Sequence, residues 1–189
     1  MKVIPTSKPK ITKEEIDKVI KSHYEVVPPV VLVGIRGYYS KSMGETDGND
    51  INIYDDAILI VTNSSVIPFN GNTDPSFVKT KGRALAKLDT GKYKFYKGKH
   101  KNKYNALRSY PEGVVLPCTR DGKPSTCSYI NIHKGGSSSA GFNLTWSEGC
   151  QTIPSTQWDS FIVKVYDLMN SHSLKTIDYL LIDNKDLVV

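Results

Sequence analysis

Apolar residues in this chain recur mostly in short runs or with a two-residue period, and only twice with the period of a helix. Ile16, Val19 and Ile20 share one helical face. Ahead of them Thr12 and Glu15 have capping-box spacing, and Ile11 with Ile16 that of a hydrophobic staple. These positions predict a short helix ending near Ser22, between a basic, proline-containing arm over residues 1–10 and the stop at Pro28-Pro29. His23, at its end, reads as structural or solvated. The second stripe, Trp158, Phe161, Ile162, Val165 and Met169, predicts a longer core-facing helix with Ser155 as N-cap.

The rest reads as strands and turns. Val30 to Ile35 is a continuous apolar run and predicts a central strand. Ile51 to Tyr54 and Ala57 to Thr62 predict two further strands or one interrupted one, with Asp55-Asp56 as a turn. Arg83 to Leu88 and Lys92 to Tyr96 suggest a hairpin around Asp89-Thr90-Gly91. Tyr104 to Tyr110 suggests a helical turn, Val114 to Pro117 a short strand, Ser128 to His133 a strand, and Ile177 to Ile182 a last one. Ser40 to Asp50 and Asn63 to Ser76 read as irregular, the former as a substrate-facing loop. Many short strands, few helices and Gly/Pro turns predict a mainly β (α+β) single domain over residues 1–189, with residues 1–25 as N-terminal arm and short helix.

Composition narrows the function classes. A hydrophobic share of 39% and a charged share of 23% are those of an ordinary globular chain. No apolar run approaches the roughly 18 residues a membrane span needs, so no membrane is expected as partner. The first residues lack the apolar core of a signal peptide, so synthesis in the cytoplasm is expected. A net charge of +6 favours an anionic partner, either a wall polymer or nucleic acid. The basic cluster Lys92, Lys94, Lys97, Lys99, Lys101 and Lys103 is interleaved with aromatics, but Lys92 to Lys97 alternates as a half-exposed strand would, lysines outward. No helix-turn-helix, zinc-finger or RNA-binding signature accompanies it, so nucleic acid is not expected. The three cysteines include no C-x-x-C pair, which argues against structural zinc; neither metal nor cofactor is expected. Cys118 and Cys127 flank a probable turn and are expected reduced, with a disulfide open to them after release. Cys150 is left unpaired.

The chemistry concentrates between Ser128 and Gln157. An alternating run ends on His133, a Gly/Ser-rich loop follows, and Ser147-Glu148-Gly149-Cys150 leads into the second helix. A thiol titrates near pH 8.5; a neighbouring imidazole lowers that value, stores the proton and returns it to a leaving group. Glycine before the nucleophile lets the backbone approach substrate, and N–H groups of a Gly-Cys turn can hold an oxyanion. The alternative is a buried small hydrophobe at Cys150 and a satisfied strand-end residue at His133. Arg36 is a candidate for a substrate carboxylate or for an ion pair with Asp55 or Asp56. Arg120 is a second candidate anion anchor, and His100 a further candidate for lining the site.

His133, a loop, then Ser147-x-Gly149-Cys150 resembles the signature of L,D-transpeptidase (YkuD-like) catalytic domains, and Ile132-His133-Lys134-Gly135-Gly136 resembles that family's entry to the loop. The resemblance implies a β-sandwich with peripheral helices. It implies Cys150 as nucleophile, His133 as base and acid, and the Lys134 main chain orienting the imidazole. Gly149 and Cys150 N–H groups would form the oxyanion hole. Ser147 and Gly149 would shape the turn, with Ser147, Glu148 and Gly135 lining the substrate side. Glu148 stands where the family usually has histidine, which bears on acceptor and substrate preference. The implied partner is the peptidoglycan stem peptide, and the implied reaction hydrolysis or transpeptidation at an L,D bond of the diaminopimelate–D-alanine type. Softer likenesses in Asn72-Thr73-Asp74-Pro75-Ser76, Gly98-Lys99-His100 and Gly149-Cys150-Gln151-Thr152-Ile153-Pro154 are to small phage-encoded proteins. They favour a monomeric endolysin reaching the periplasm or wall after release. An antibacterial toxin with carboxypeptidase or exchange activity, or a non-catalytic wall-binding module, are the alternatives.

Overall fold

In a computed structural model, which describes residues 3–43, 51–74, 84–136, 145 and 147–187, strands dominate as the alternation predicts. In chain order the elements are α1 (Lys13–His23), β1 (Val30–Arg36), β2 (Asp56–Thr62), β3 (Val66–Gly71), β4 (Lys87–Leu88), β5 (Gly91–His100), β6 (Tyr104–Ser109), β7 (Leu116–Arg120), β8 (Lys123–Cys127), β9 (Asn131–Lys134), β10 (Gln151–Ile153), α2 (Ser155–Ser171) and β11 (Ile177–Asp183), closed by a 3-10 turn over Asn184–Leu187. The chain is mainly β. Eight strands form one mixed sheet in the order β10-β9-β6-β5-β11-β1-β2-β3, and β4, β7 and β8 form a small antiparallel one. The large sheet curls until its ends meet. Asn72, just past β3, and Thr152, in β10, exchange both N–H···O bonds at 2.8 Å.

The continuous apolar run becomes β1 because both its faces are covered. Val30 and Leu32 enter a core shared with Trp158, Phe161, Ile162, Val165 and Met169 of α2 and with the small sheet. Val31, Val33 and Ile35 enter a second core shared with Ile16, Val19 and Ile20 of α1. The two helical stripes thus cover opposite faces of one sheet. The capping box forms, Thr12 and Glu15 each accepting the other's backbone N–H. Gly34 is required by packing: a β-carbon there would lie 2.1 Å from the Tyr179 hydroxyl. No helix among the described residues is long and apolar enough to cross a membrane.

Several local expectations are corrected. Residues 51–55 are turn and irregular, although Ile53 and Tyr54 are buried. β3 forms inside the stretch expected to be irregular; as the last strand in the order it tolerates Pro68. β4 and β5 make no hairpin, since β4 pairs with β7, and β5 with β6 and β11. Residues 104–109 are strand β6, held between β5 and β9. Pro154, not Ser155, occupies the N-cap position of α2. Cys118 and Cys127 are free, as expected, and buried as diagonal neighbours on β7 and β8, set opposite Ser125 and Leu116. The Gly/Ser loop over 137–144 and residues 44–50 of the expected substrate-facing loop lie outside the described residues.

Asp55-Asp56 is buried rather than a turn, and Asp56 opens β2. It accepts the Gly37 N–H at 2.6 Å and the Thr73 N–H. Arg36 is buried beside it. Its Nε pairs with Asp74 Oδ1 at 2.9 Å, and its Nη2 donates to the carbonyls of Thr73 (3.1 Å) and Leu88 (2.8 Å). The substrate role considered for Arg36 is therefore overturned, and its carboxylate partner is Asp74, not Asp55 or Asp56. Burial pushes the Asp56 carboxyl above its ordinary range, and Asp74 adds to the effect. Arg36→Met takes from buried Asp74 its closest cation, leaving it the half-exposed Lys87 at 3.3 Å, so it is expected to lower unfolding stability by about 3–5 kcal/mol, measured by urea denaturation followed through tryptophan fluorescence. A loss below about 1 kcal/mol would mean the pair is dispensable.

Candidate active site

β9 and β10 run parallel, with Gln151 beside Ile132, Thr152 beside His133 and Ile153 beside Lys134. Ile132 and Ile153 enter the inner core. Alternation turns Asn131, His133 and Thr152 to the opposite face, and Cys150 with them. By this register Cys150 stands level with Asn131, about 7 Å along the strand from His133. The sequence predicts thiol against imidazole. The resting thiol is instead engaged by the β9 backbone, where Cys150 Sγ accepts the Asn131 N–H at 3.4 Å and lies 3.9 Å from the Tyr129 carbonyl. No hydrogen bond joins Sγ to His133 among the described residues, and the two-residue offset is the reason.

His133 is 4% exposed. Its Nδ1 lies 2.8 Å from the Lys134 carbonyl oxygen. A carbonyl only accepts, so Nδ1 carries the hydrogen and Nε2 the lone pair. The Lys134 carbonyl thus holds the orientation of the imidazole. The Tyr104 hydroxyl stands 3.4 Å from the same carbonyl and 3.5 Å from Nδ1. His100 joins the group: its ring stacks on that of His133, with centroids 4.1 Å apart and planes at 25°. Asn131 Nδ2 is 3.4 Å from His100 Nδ1.

Burial holds this group neutral. It pushes His133 down to about 3, His100 and Lys101 adding to the shift and the Lys134 carbonyl opposing it. It pushes His100 down to about 4, with help from Lys101 and Arg108. It pushes the Cys150 thiol up to about 11; the Asn131 N–H and Lys101 work against that rise and Glu148 with it. The expectation of a thiol lowered by its imidazole is therefore corrected: desolvation outweighs the favourable partners, and thiol and imidazole rest uncharged.

The turn before the cysteine is tightly built. Ser147 is buried, accepts the Gly149 N–H at 3.0 Å on its Oγ and donates to the Cys150 carbonyl. This corrects two expectations. Ser147 shapes the turn from inside rather than lining a substrate surface, and the Gly149 N–H is already committed. A β-carbon at Gly149 would lie 2.9 Å from the Ala86 carbonyl oxygen, and the Glu148 carbonyl accepts the Ala86 N–H at 3.0 Å. Gly135 donates its N–H to the Ile153 carbonyl at 2.8 Å and leaves room for Tyr54, whose hydroxyl donates to the Gly136 carbonyl at 2.9 Å. Gly135 is thus a seat for Tyr54. Arg120 is spent on the Ala84 carbonyl at 2.6 Å.

Tyr104, Asn131 and Tyr54 are neighbours that sequence reasoning missed. Asn131 was legible, since it alternates with Ile132 and shares the His133 face. Among the described residues no group of three or more His, Cys, Asp or Glu is gathered as metal ligands would be. Comparison of the chain with protein-family models, with curated proteins and with solved structures gave no match.

Gly135→Ala would set a β-carbon 2.2 Å from the Tyr54 hydroxyl. It is expected to cost about 1–3 kcal/mol in urea denaturation, with Tyr54→Phe in the same background restoring part of the loss. An additive double variant would count against this steric account. The imidazoles predict a pH dependence. Unfolded histidine titrates near pH 6.5, well above both folded values, so the unfolded chain takes up protons first as pH falls. The contribution of the two rings to stability is complete above about pH 6.5 and is lost as pH falls through about 4 for His100 and about 3 for His133. The melting temperature should drop across that window, and His100→Gln should make the drop shallower; an unchanged slope in that variant would refute the assignment.

Proposed function

We propose that the chain is a cysteine acyl-transfer enzyme that cleaves an L,D bond in peptidoglycan stem peptides, of the diaminopimelate–D-alanine kind, on an L,D-transpeptidase-like β-sandwich. The observation that carries the reading is the 2.8 Å bond between His133 Nδ1 and the Lys134 carbonyl. It fixes the tautomer and leaves a lone pair on Nε2, one strand away from Cys150 and on the same face of the sheet. Hydrolysis is the favoured outcome. The chain acts as a monomeric phage lysis enzyme, reaching the periplasm or wall after release.

Chemistry starts from a neutral pair, which suits general-base catalysis better than a preformed ion pair. Rotation about the Cys150 Cα–Cβ bond frees Sγ from the β9 backbone and turns it toward His133. Nε2 takes the thiol proton as sulfur bonds to the scissile carbonyl carbon. The Cys150 N–H stabilises the oxyanion, since that of Gly149 is held by Ser147. The imidazolium then protonates the amine as the C–N bond breaks, leaving a thioacyl group on Cys150. Water attacks that group, losing a proton to Nε2, and the proton returns to sulfur as the C–S bond breaks. Lys134 holds the ring by its carbonyl throughout.

One observation favours a second reading. A thiol resting against the Asn131 N–H and the Tyr129 carbonyl is what a wall-binding module that has lost catalysis would also have. Mass spectrometry of purified muropeptides incubated with the protein separates the two. Release of D-alanine or opening of a cross-link is expected from the wild type. Cys150→Ser should abolish it, and His133→Gln should reduce it by about 10²–10⁴-fold. Retained binding with no mass change would leave the module, and turnover persisting in Cys150→Ser would remove the assignment.

A further inference from the structure

His133 is held at one edge and on one face. The edge bond, from Nδ1–H to the Lys134 carbonyl at 2.8 Å, still lets the ring pivot about the line between the two atoms. The face contact with His100 removes that freedom, because the two rings lie 4.1 Å apart with their planes at 25°. The two residues come from strands that are not neighbours, since β6 runs between β5 and β9. Side-chain size explains how they meet. One step on from the Leu107–Ile132 pair, Ala106 falls opposite His133, and Ala106 pairs in turn with Gly98 of β5. Leu107 and Ile132 enter the inner core, so Ala106 and Gly98 share the other face with His133. A methyl group and a hydrogen leave this row low, and the His100 ring reaches over it from the end of β5. His100 is itself braced. Its Nδ1 lies 3.4 Å from Asn131 Nδ2, and its ring centre 5.5 Å from that of Tyr104. Asn131 is also the residue whose main-chain N–H meets Cys150 Sγ at 3.4 Å. One asparagine therefore touches the thiol through its backbone and the stacking ring through its side chain.

We propose that His100 is a positioning residue: its ring, braced by Asn131, lies on the face of His133 and holds the ring plane and the Nδ1–H tautomer that aim Nε2. The inference rests on the reading of His133 as the base and names what keeps that base in place. The contact also suits the arrival of the proton. The face of an aromatic ring is electron-rich, so a neutral His100 favours a positive charge on the ring it covers, whereas a charged His100 would repel one. Burial, with Lys101 and Arg108 close by, pushes His100 down to about 4, which keeps it neutral at ordinary pH.

Nuclear magnetic resonance of the ¹⁵N-labelled chain at neutral pH tests this without a substrate, because the shifts of the two ring nitrogens report which of them carries the hydrogen. His133→Gln assigns the His133 signals among the four histidines. In the wild type Nδ1 should give the shift of a protonated nitrogen and Nε2 that of a bare one. In His100→Ala the two shifts should move toward each other, as a ring that pivots loosens its bond to Lys134 and samples both tautomers. His100→Phe, which keeps an aromatic face, should hold them near their wild-type values. Asn131→Ala leaves both rings and the N–H on Sγ in place, and should move the shifts in the same direction by less. Wild-type shifts in both alanine variants would overturn the proposal, as would a phenylalanine variant that moves them as far as His100→Ala. With muropeptides, His100→Ala should lower kcat by about five- to tenfold at unchanged KM, and His100→Phe should recover most of the loss. A raised KM with kcat unchanged would make His100 a substrate contact and also sink the idea. Failure of the catalytic reading is seen separately: muropeptides left intact by a wild-type protein whose His133 shifts respond to His100 as stated would remove the enzyme and leave the positioning contact.

Discussion

Thr152 is the residue on which the rest depends, although it has no chemistry of its own. Its N–H and carbonyl are both given to Asn72, closing the large sheet, while its register against His133 aligns β10 with β9. A three-residue parallel strand has little stability alone. Here it is gripped from both sides and leads straight into α2. A slip of one residue would exchange the faces, sending Cys150 inward and Gln151 outward. Gln151 has its own reason to stay inside, since its Oε1 accepts the Tyr179 hydroxyl at 3.1 Å, and that hydroxyl has room only because residue 34 is glycine.

Behind Asn72 lies the buried charge cluster. Asp56 holds the Thr73 N–H, and Arg36 holds the Thr73 carbonyl and Asp74. The segment that fastens Thr152 is therefore itself fixed by ionic contacts in a desolvated place, where losing one partner leaves another uncompensated. The same desolvation governs the site. It keeps thiol and imidazole uncharged.

The fold was legible where one physical signal dominated. The α1 capping box, the α2 stripe, the two-faced burial of β1 and the alternation that turns Lys92 and Lys94 outward with Tyr93 and Phe95 inward all follow from local pattern. It was illegible where tertiary pairing overrode composition. Tyr104 to Ser109 contains Ala, Leu and Arg, good helix formers, yet β5 and β9 recruit it as a strand. Val66 to Gly71 contains Pro68 and Asn70-Gly71, turn residues that an edge strand tolerates. At the site, residue types marked Cys150, His133 and the Lys134 carbonyl, and alternation marked Asn131. The burial of Arg36 on Asp74 was beyond reach, because the two are brought together only when β1 meets the segment past β3. The contact of Tyr104 with His133 required knowing that β6 is a strand. The offset of thiol from imidazole needed the β9–β10 register, which spacing along the chain does not encode.

Closure of the large sheet has a consequence for how the protein keeps to itself. Exposed strand edges invite pairing between molecules. In the eight-stranded sheet the two terminal strands are joined through Asn72 and Thr152, and the Asn70 N–H is occupied by the Gln157 side chain at 3.0 Å, an amide standing in for a neighbouring strand. Pro68 offers no donor there at all. The small sheet has an open border of its own, and its outer strand β8 begins with exposed Lys123 and Pro124. A charge and a missing N–H stand where strand-to-strand stacking of copies would otherwise begin.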